Sequence, residues 1–98
     1  MNDIARLMQK RMVLVEKLAA LNSKQLSNTQ KRSGLEVELL ACIEEIEANG
    51  ETAENLAQRA ELEARYKAAI DACAACEQEL DRLAEQMTRL DREIAQPQ

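Results

Sequence analysis

The chain contains no histidine, phenylalanine or tryptophan, and Tyr66 is its one aromatic residue. Glycine occurs only at Gly34 and Gly50, and the single proline, Pro97, is next to last. Valine is confined to positions 13, 15 and 37. Each scarcity excludes something. Few aromatics and valines leave little to build strands from. Almost no internal glycine or proline means almost nothing to interrupt a helix. Without histidine, the side chain most used for general acid–base work near neutral pH is missing. No nucleophile–base pair and no glycine-rich phosphate loop is present, and nothing supplies concave apolar walls around convergent polar groups. No enzyme is expected.

What is present is Ala, Leu, Glu, Gln, Lys and Arg, the signature of long helices and coiled coils. The 98 residues allow one domain, with 32% charged residues and a net charge of −5. That charge is unevenly spread. Residues 1–34 carry seven basic and two acidic groups, residues 35–65 two and nine, and residues 66–98 four and seven. Such asymmetry signals an interaction surface or pairing between segments of the chain. The opening MNDIARLMQKRMVLVEKLAALN has Glu16 and Lys17 across its apolar run and no small-residue cleavage site, unlike a signal peptide. No membrane span is expected. Three cysteines, an odd number, do not suit a secreted disulfide framework, so a cytoplasmic location is expected.

A seven-residue ruler organises both halves. With Ile4 at position a, the a residues are Ile4, Arg11, Leu18, Gln25, Arg32, Leu39 and Ile46, and the d residues Leu7, Leu14, Leu21, Asn28, Leu35, Cys42 and Asn49. The stripe is apolar at both ends and polar in the middle. Met8, Val15 and Ile43 at e widen it beyond a two-stranded seam, which suits a bundle. Asn49-Gly50 ends this run, because glycine tolerates the left-handed conformation just past a helix. Thr52 then offers a capping hydroxyl, with Glu51 and Glu54 beside the N-terminal dipole. The second ruler places Asn55, Leu62, Ala69, Cys76, Leu83 and Leu90 at d, and Arg59, Tyr66, Cys73, Leu80, Met87 and Ile94 at a.

The expectation is all-α: an antiparallel coiled-coil helical hairpin forming a single domain over residues 1–98. Helix one spans about 3–48, the turn 49–51 and helix two about 52–95. Each helix would be roughly 65–70 Å long at about 1.5 Å per residue. Residues 27–34, SNTQKRSG, are polar, and Ser33 with Glu36 forms an S-x-x-E capping pattern, so a break or kink there is the alternative. The heptad phase survives the stretch, which favours a continuous or kinked helix. Glu61–Arg65 and Glu85–Arg89 have the spacing for helical ion pairs.

The motif DACAACEQEL carries Cys73 and Cys76 three apart. In a hairpin turning near Gly50 they lie level with Lys24 to Ser27, where the first helix places Gln25 and Asn28 at its seam. Ala69, Ala72, Ala74 and Ala75 surround them, so the second helix is thin where the first is polar. Packing of small side chains is the simplest reading. Structural zinc wants four ligands. Cys73 and Cys76 supply two, and Cys42, the third metal candidate, falls near residue 58. A dimer could assemble four thiolates, or an intermolecular disulfide. A thioredoxin-like role is disfavoured, because the pair is mid-helix beside Asp71 and Glu77. The carboxylates Glu44, Glu45 and Glu47 read as a solvated face. The basic stretch Lys24 to Arg32 lacks the aromatics of a nucleic-acid surface in an acidic chain, and no nucleic acid is expected. IARLMQKRMVLVEKLAALN has the pattern of a membrane-surface helix, but burial in a bundle explains it more simply.

A lone hairpin would leave Met12, Leu26 and Leu40 at b positions, with Val13 and Val37, in water. The expectation is therefore homodimerisation into a four-helix bundle, together with binding to a larger protein target. The residues expected at interfaces are Ile4, Leu7, Leu14, Leu18, Leu21, Leu26, Leu40, Ile43, Leu80, Leu83, Met87 and Leu90. The function expected is a small non-enzymatic protein–protein interaction module that modulates its partner as adaptor, chaperone or inhibitor, with no cofactor. The alternatives are a cysteine-based metal-binding or redox-responsive dimer and a structural coiled-coil spacer. In format the chain resembles two groups: the small helical-hairpin chaperones and adaptors of bacterial secretion machines, and the helical accessory proteins with which phages inhibit or redirect host enzymes. That resemblance rests on size, acidity and hairpin shape across the whole chain. No motif carries it, and it transfers no functional residue.

Overall fold

A computed structural model describes residues 3–96. Helix α1 runs Asp3–Asn49 and helix α2 Ala53–Ala95, and no strand occurs among the described residues. The fold is an all-α helical hairpin. Its element boundaries fall within a residue or so of those set by the two heptad rulers.

The rulers also account for burial. Every a and d residue except Asn49 is buried or half-buried. Outside those positions, among the described residues, only Thr29, Ile43, Glu79 and Gln86 reach the same state. A stripe repeating every 3.5 residues stays on one side of a helix, so it can face a partner helix along its length.

Residues 27–34 are helical throughout, without a break. Gly34 keeps a negative φ, and a methyl group added there would meet nothing within 4 Å. The Ser33/Glu36 pattern therefore caps nothing: α1 began thirty residues earlier, and local hydrogen bonding does not displace an established helical ladder.

The turn has a defined chemistry. Gly50 adopts φ +89°, and its N–H donates to the Ile46 carbonyl at 2.8 Å, closing the end of α1. Thr52 caps α2, its Oγ1 accepting from the Asn55 N–H at 3.0 Å. Asn55 completes the box with its own side chain, Oδ1 accepting from the Thr52 N–H at 2.8 Å. Its Nδ2 donates to the Gly50 carbonyl at 3.0 Å, tying the cap to the bend. Asparagine here does what glutamate or glutamine does in the common capping box. The sequence reading placed Asn55 at the seam and missed this second role.

The hairpin comprises two compact units. The turn unit is Leu26–Ala74. Its core holds Leu35, Cys42, Ile46, Leu62 and Ala69, with Leu39 and Tyr66 packed against it. The terminal unit joins the residues up to Gln25 with those from Ala75 onward. Here Cys76, Leu83 and Leu90 of α2 are buried. All three core-level residues of α1, Leu35, Cys42 and Ile46, lie in the turn unit. In the terminal unit Ile4, Leu7, Leu14, Leu18 and Leu21 are only half-buried.

Candidate interaction surface

Of the residues expected at an interface, Leu83 and Leu90 are buried within the hairpin. Ile4, Leu7, Leu14, Leu18, Leu21, Ile43, Leu80 and Met87 are half-buried, and Leu26 and Leu40 are exposed. Ten of the twelve therefore serve the seam between α1 and α2 or its margin, as their a, d and e register dictates.

The large apolar side chains left exposed are Met8, Met12, Val13, Val15, Leu26, Val37, Leu40, Leu56 and Ile70. Seven of these nine occupy b or e positions, with Val13 at c and Val37 at f. The exposure of Leu56 and Ile70 escaped the sequence reading. Their signal was available: both stand at e of the second ruler, immediately after the d residues Asn55 and Ala69.

In the terminal unit the two edges of the helix pair can be told apart by contacts. On one edge Arg11 Nε donates to Asp91 Oδ1 at 2.8 Å, joining an a residue to an e residue. On the other lies a cleft of about 440 Å³, floored by Val13, Leu14 and Leu90. Lys10, Lys17, Arg89 and Glu93 rim it. The second edge belongs to g and c positions, and Lys10 of α1 and Glu93 of α2 line its cleft. Charges of opposite sign at facing flank positions favour this antiparallel pairing.

In the turn unit, a second cleft is lined by Glu38, Glu45, Glu61 and Arg65 around Ala41, Cys42, Gln58 and Leu62. The carboxylates there outnumber the cations. The unit as a whole carries five basic and ten acidic residues.

The ion pairs within α2 are Arg59–Glu63, Lys67–Asp71 and Glu79–Arg82. The expected Glu61–Arg65 and Glu85–Arg89 pairs are not among them. The Glu79 carboxyl is held below its ordinary value, first by the hydrogen bond from Arg82 and then by the positive charges of Arg82 and Lys17. The Arg82 and Arg59 guanidiniums are raised by the hydrogen bonds they donate to the carboxylates of Glu79 and Glu63. The paired side chains keep 41–78% of their surface in water, so they tune the surface and contribute little to stability.

The cysteines are thiols buried in the seam. Cys76 Sγ donates to the Leu21 carbonyl at 3.5 Å. That contact lies one turn nearer the N-terminus than the expected level of Lys24 to Ser27. Cys42 Sγ donates to the Asn55 carbonyl at 3.7 Å, about one turn before the expected level of residue 58, while Gln58 lines the same cleft as Cys42. Cys73 is buried within the turn unit. Among the described residues no three His, Cys, Asp or Glu side chains converge as a metal-holding group. No helix of the described chain is long and apolar enough to cross a membrane.

Comparison with family models, with curated protein sequences and with solved structures finds no match to this chain.

Proposed function

We propose that this protein is a non-enzymatic helical interaction module that acts by binding a larger protein. The observation that carries the reading is the apolar surface at b and e positions, outside the seam. Leu26 is 61% exposed, Leu40 53% and Met12 64%. Burying one such side chain fully is worth about 1.5–3 kcal/mol, so a protein that leaves several in water has a use for them at an interface. The helical face supplies anchors at i, i+3 and i+4 spacing, the pattern by which helices dock on partners.

Charge supports the same reading. The turn unit, net −5, presents an acidic field that steers encounters toward a basic surface. Self-association into a four-helix bundle is a second way to cover the apolar residues and belongs to the same proposal. The buried thiols favour a packing role for the cysteines over sensing, because a reactive thiol needs access.

The test is affinity capture from a native cell extract with mass spectrometry, using the intact chain and a Leu26→Glu/Leu40→Glu variant. A specific protein retained by the first and lost from the second supports the module. Capture unchanged by the substitutions, or abolished only by Cys73→Ala/Cys76→Ala, rejects it. Sedimentation equilibrium of the purified protein reports self-association directly.

A further inference from the structure

The terminal unit is close to neutral as a whole, but its charge is divided by edge. At b and e positions it carries three carboxylates, Glu77, Asp81 and Asp91, and no cation. At g and c positions it carries six cations and three carboxylates. The b/e edge is also the apolar one. Met8 is 45% exposed, Met12 64% and Val15 45%, with Ala5 and Ala19 continuing the same ridge at three- and four-residue spacing. On α2 this edge offers the small side chains Ala84 and Thr88, with carboxylates to either side. Thr88 donates its hydroxyl to the Ala84 carbonyl at 3.1 Å, so that donor is already satisfied within α2.

We infer that this edge is the docking site for a basic amphipathic helix of a partner protein. The inference rests on the interaction-module reading above and names the site and the partner's chemistry. Three observations select this occupant. First, α1 brings none of its residues to core burial in this unit, so its apolar side is incompletely covered by α2 alone. Second, Asp91 is already engaged by Arg11, while the Glu77 and Asp81 side chains form no hydrogen bond or ion pair among the described residues. Their charges are available to a ligand. Third, no basic side chain stands at b or e, and Arg11, which reaches this edge from its a position, is bound to Asp91. A ridge from Ala5 to Ala19 matches about four turns of a partner helix, with apolar residues along one face and Lys or Arg at its margin.

The probe is a synthetic helix of about eighteen residues with Leu at a and d and Lys at the flanking positions, matched to a control bearing Glu in place of Lys. Each is titrated into the isotopically labelled full chain and followed by NMR. The expected result is saturable binding of the Lys helix only, with side-chain shifts at the b and e positions of residues 5–19 and 77–91 and none at Lys10, Lys17 or Arg89. Glu77→Gln/Asp81→Asn should weaken it at least tenfold and flatten its salt dependence, and Met12→Glu should abolish it with both helices of the protein intact by circular dichroism. Shifts centred on residues 35–65 would mean simple attraction to the acidic turn unit and would overturn the inference. Equal binding of both helices, binding of neither, or shifts at the Lys10/Lys17/Arg89 cleft would do the same. So would a concentration-dependent dimer of the unliganded protein that Met12→Glu dissolves, because a second copy would then own the edge. In each of these cases the module reading stands or falls separately, on the capture experiment.

Discussion

Thr52 and Asn55 exchange hydrogen bonds across the start of α2: each side chain accepts from the other's backbone N–H, at 3.0 and 2.8 Å. Asn55 also reaches the Gly50 carbonyl, so cap and bend are one network. Thr52→Ala should cost about 1 kcal/mol, the usual price of losing a cap. Asn55→Ala should cost at least as much, because it removes both the reciprocal bond and the tie to Gly50. The double variant should cost less than the sum of the two singles, as expected for partners in one network. Urea unfolding of the four proteins measures all three statements, and strict additivity would show that the network does not act as a unit.

The two glycines should respond to alanine in opposite directions. Gly50 has φ +89°, a conformation that an L side chain adopts at a cost of about 1–2 kcal/mol, so Gly50→Ala destabilises. Gly34 is helical with open space around it, so Gly34→Ala should stabilise by about 1 kcal/mol. Thermal unfolding followed at 222 nm should show one midpoint falling and the other rising. A loss on Gly34→Ala would mean that the glycine serves a bend in α1.

The cysteines should be unreactive in the folded protein. With Cys42, Cys73 and Cys76 all buried, alkylation by a maleimide should be slow and should track unfolding of the seam. Denaturant should make all three react at the rate of an ordinary thiol. Rapid labelling of Cys73 or Cys76 in native buffer would contradict a packing role.

Glu79 should report its pairing with Arg82 by titration. Its folded carboxyl lies below the ordinary glutamate value, so the proton binds the unfolded chain more readily than the folded one. The associated stabilisation is present above the ordinary glutamate range and is lost as pH falls through the depressed value. Arg82→Gln should move the Glu79 titration upward, toward the ordinary value, in a side-chain carboxyl NMR experiment. Lys17→Gln should move it in the same direction by less, since its charge is the smallest of the causes. No movement in Arg82→Gln would remove the hydrogen bond as the cause.

Much of the architecture was legible in the chain because it depends on local, repeated features. Helical register is read residue by residue at a period of seven, and each apolar side chain at a or d adds to the same answer. Gly50 and Thr52 declared the end of one helix and the start of the next through their own backbone and side-chain preferences. Continuity through residues 27–34 followed from unbroken phase, even though the composition there suggested a loop. The second role of Asn55 was less visible. An asparagine at a heptad d position reads as a weak core residue until the bend brings Gly50 within reach of its amide.

The amino-acid sequence by itself determined two long helices, the bend between them and the stripe each would bury, because those follow from propensity and periodicity along a single segment. Only the tertiary structure decided which edge of the pair stays wet. Pairing of Arg11 with Asp91, and the shared cleft that brings Lys10 and Glu93 to the opposite side, involve residues about eighty positions apart. Their alignment depends on how two helices slide and rotate against each other, and no local preference sets that. The division of the terminal unit into an apolar acidic edge and a basic one is a product of that alignment.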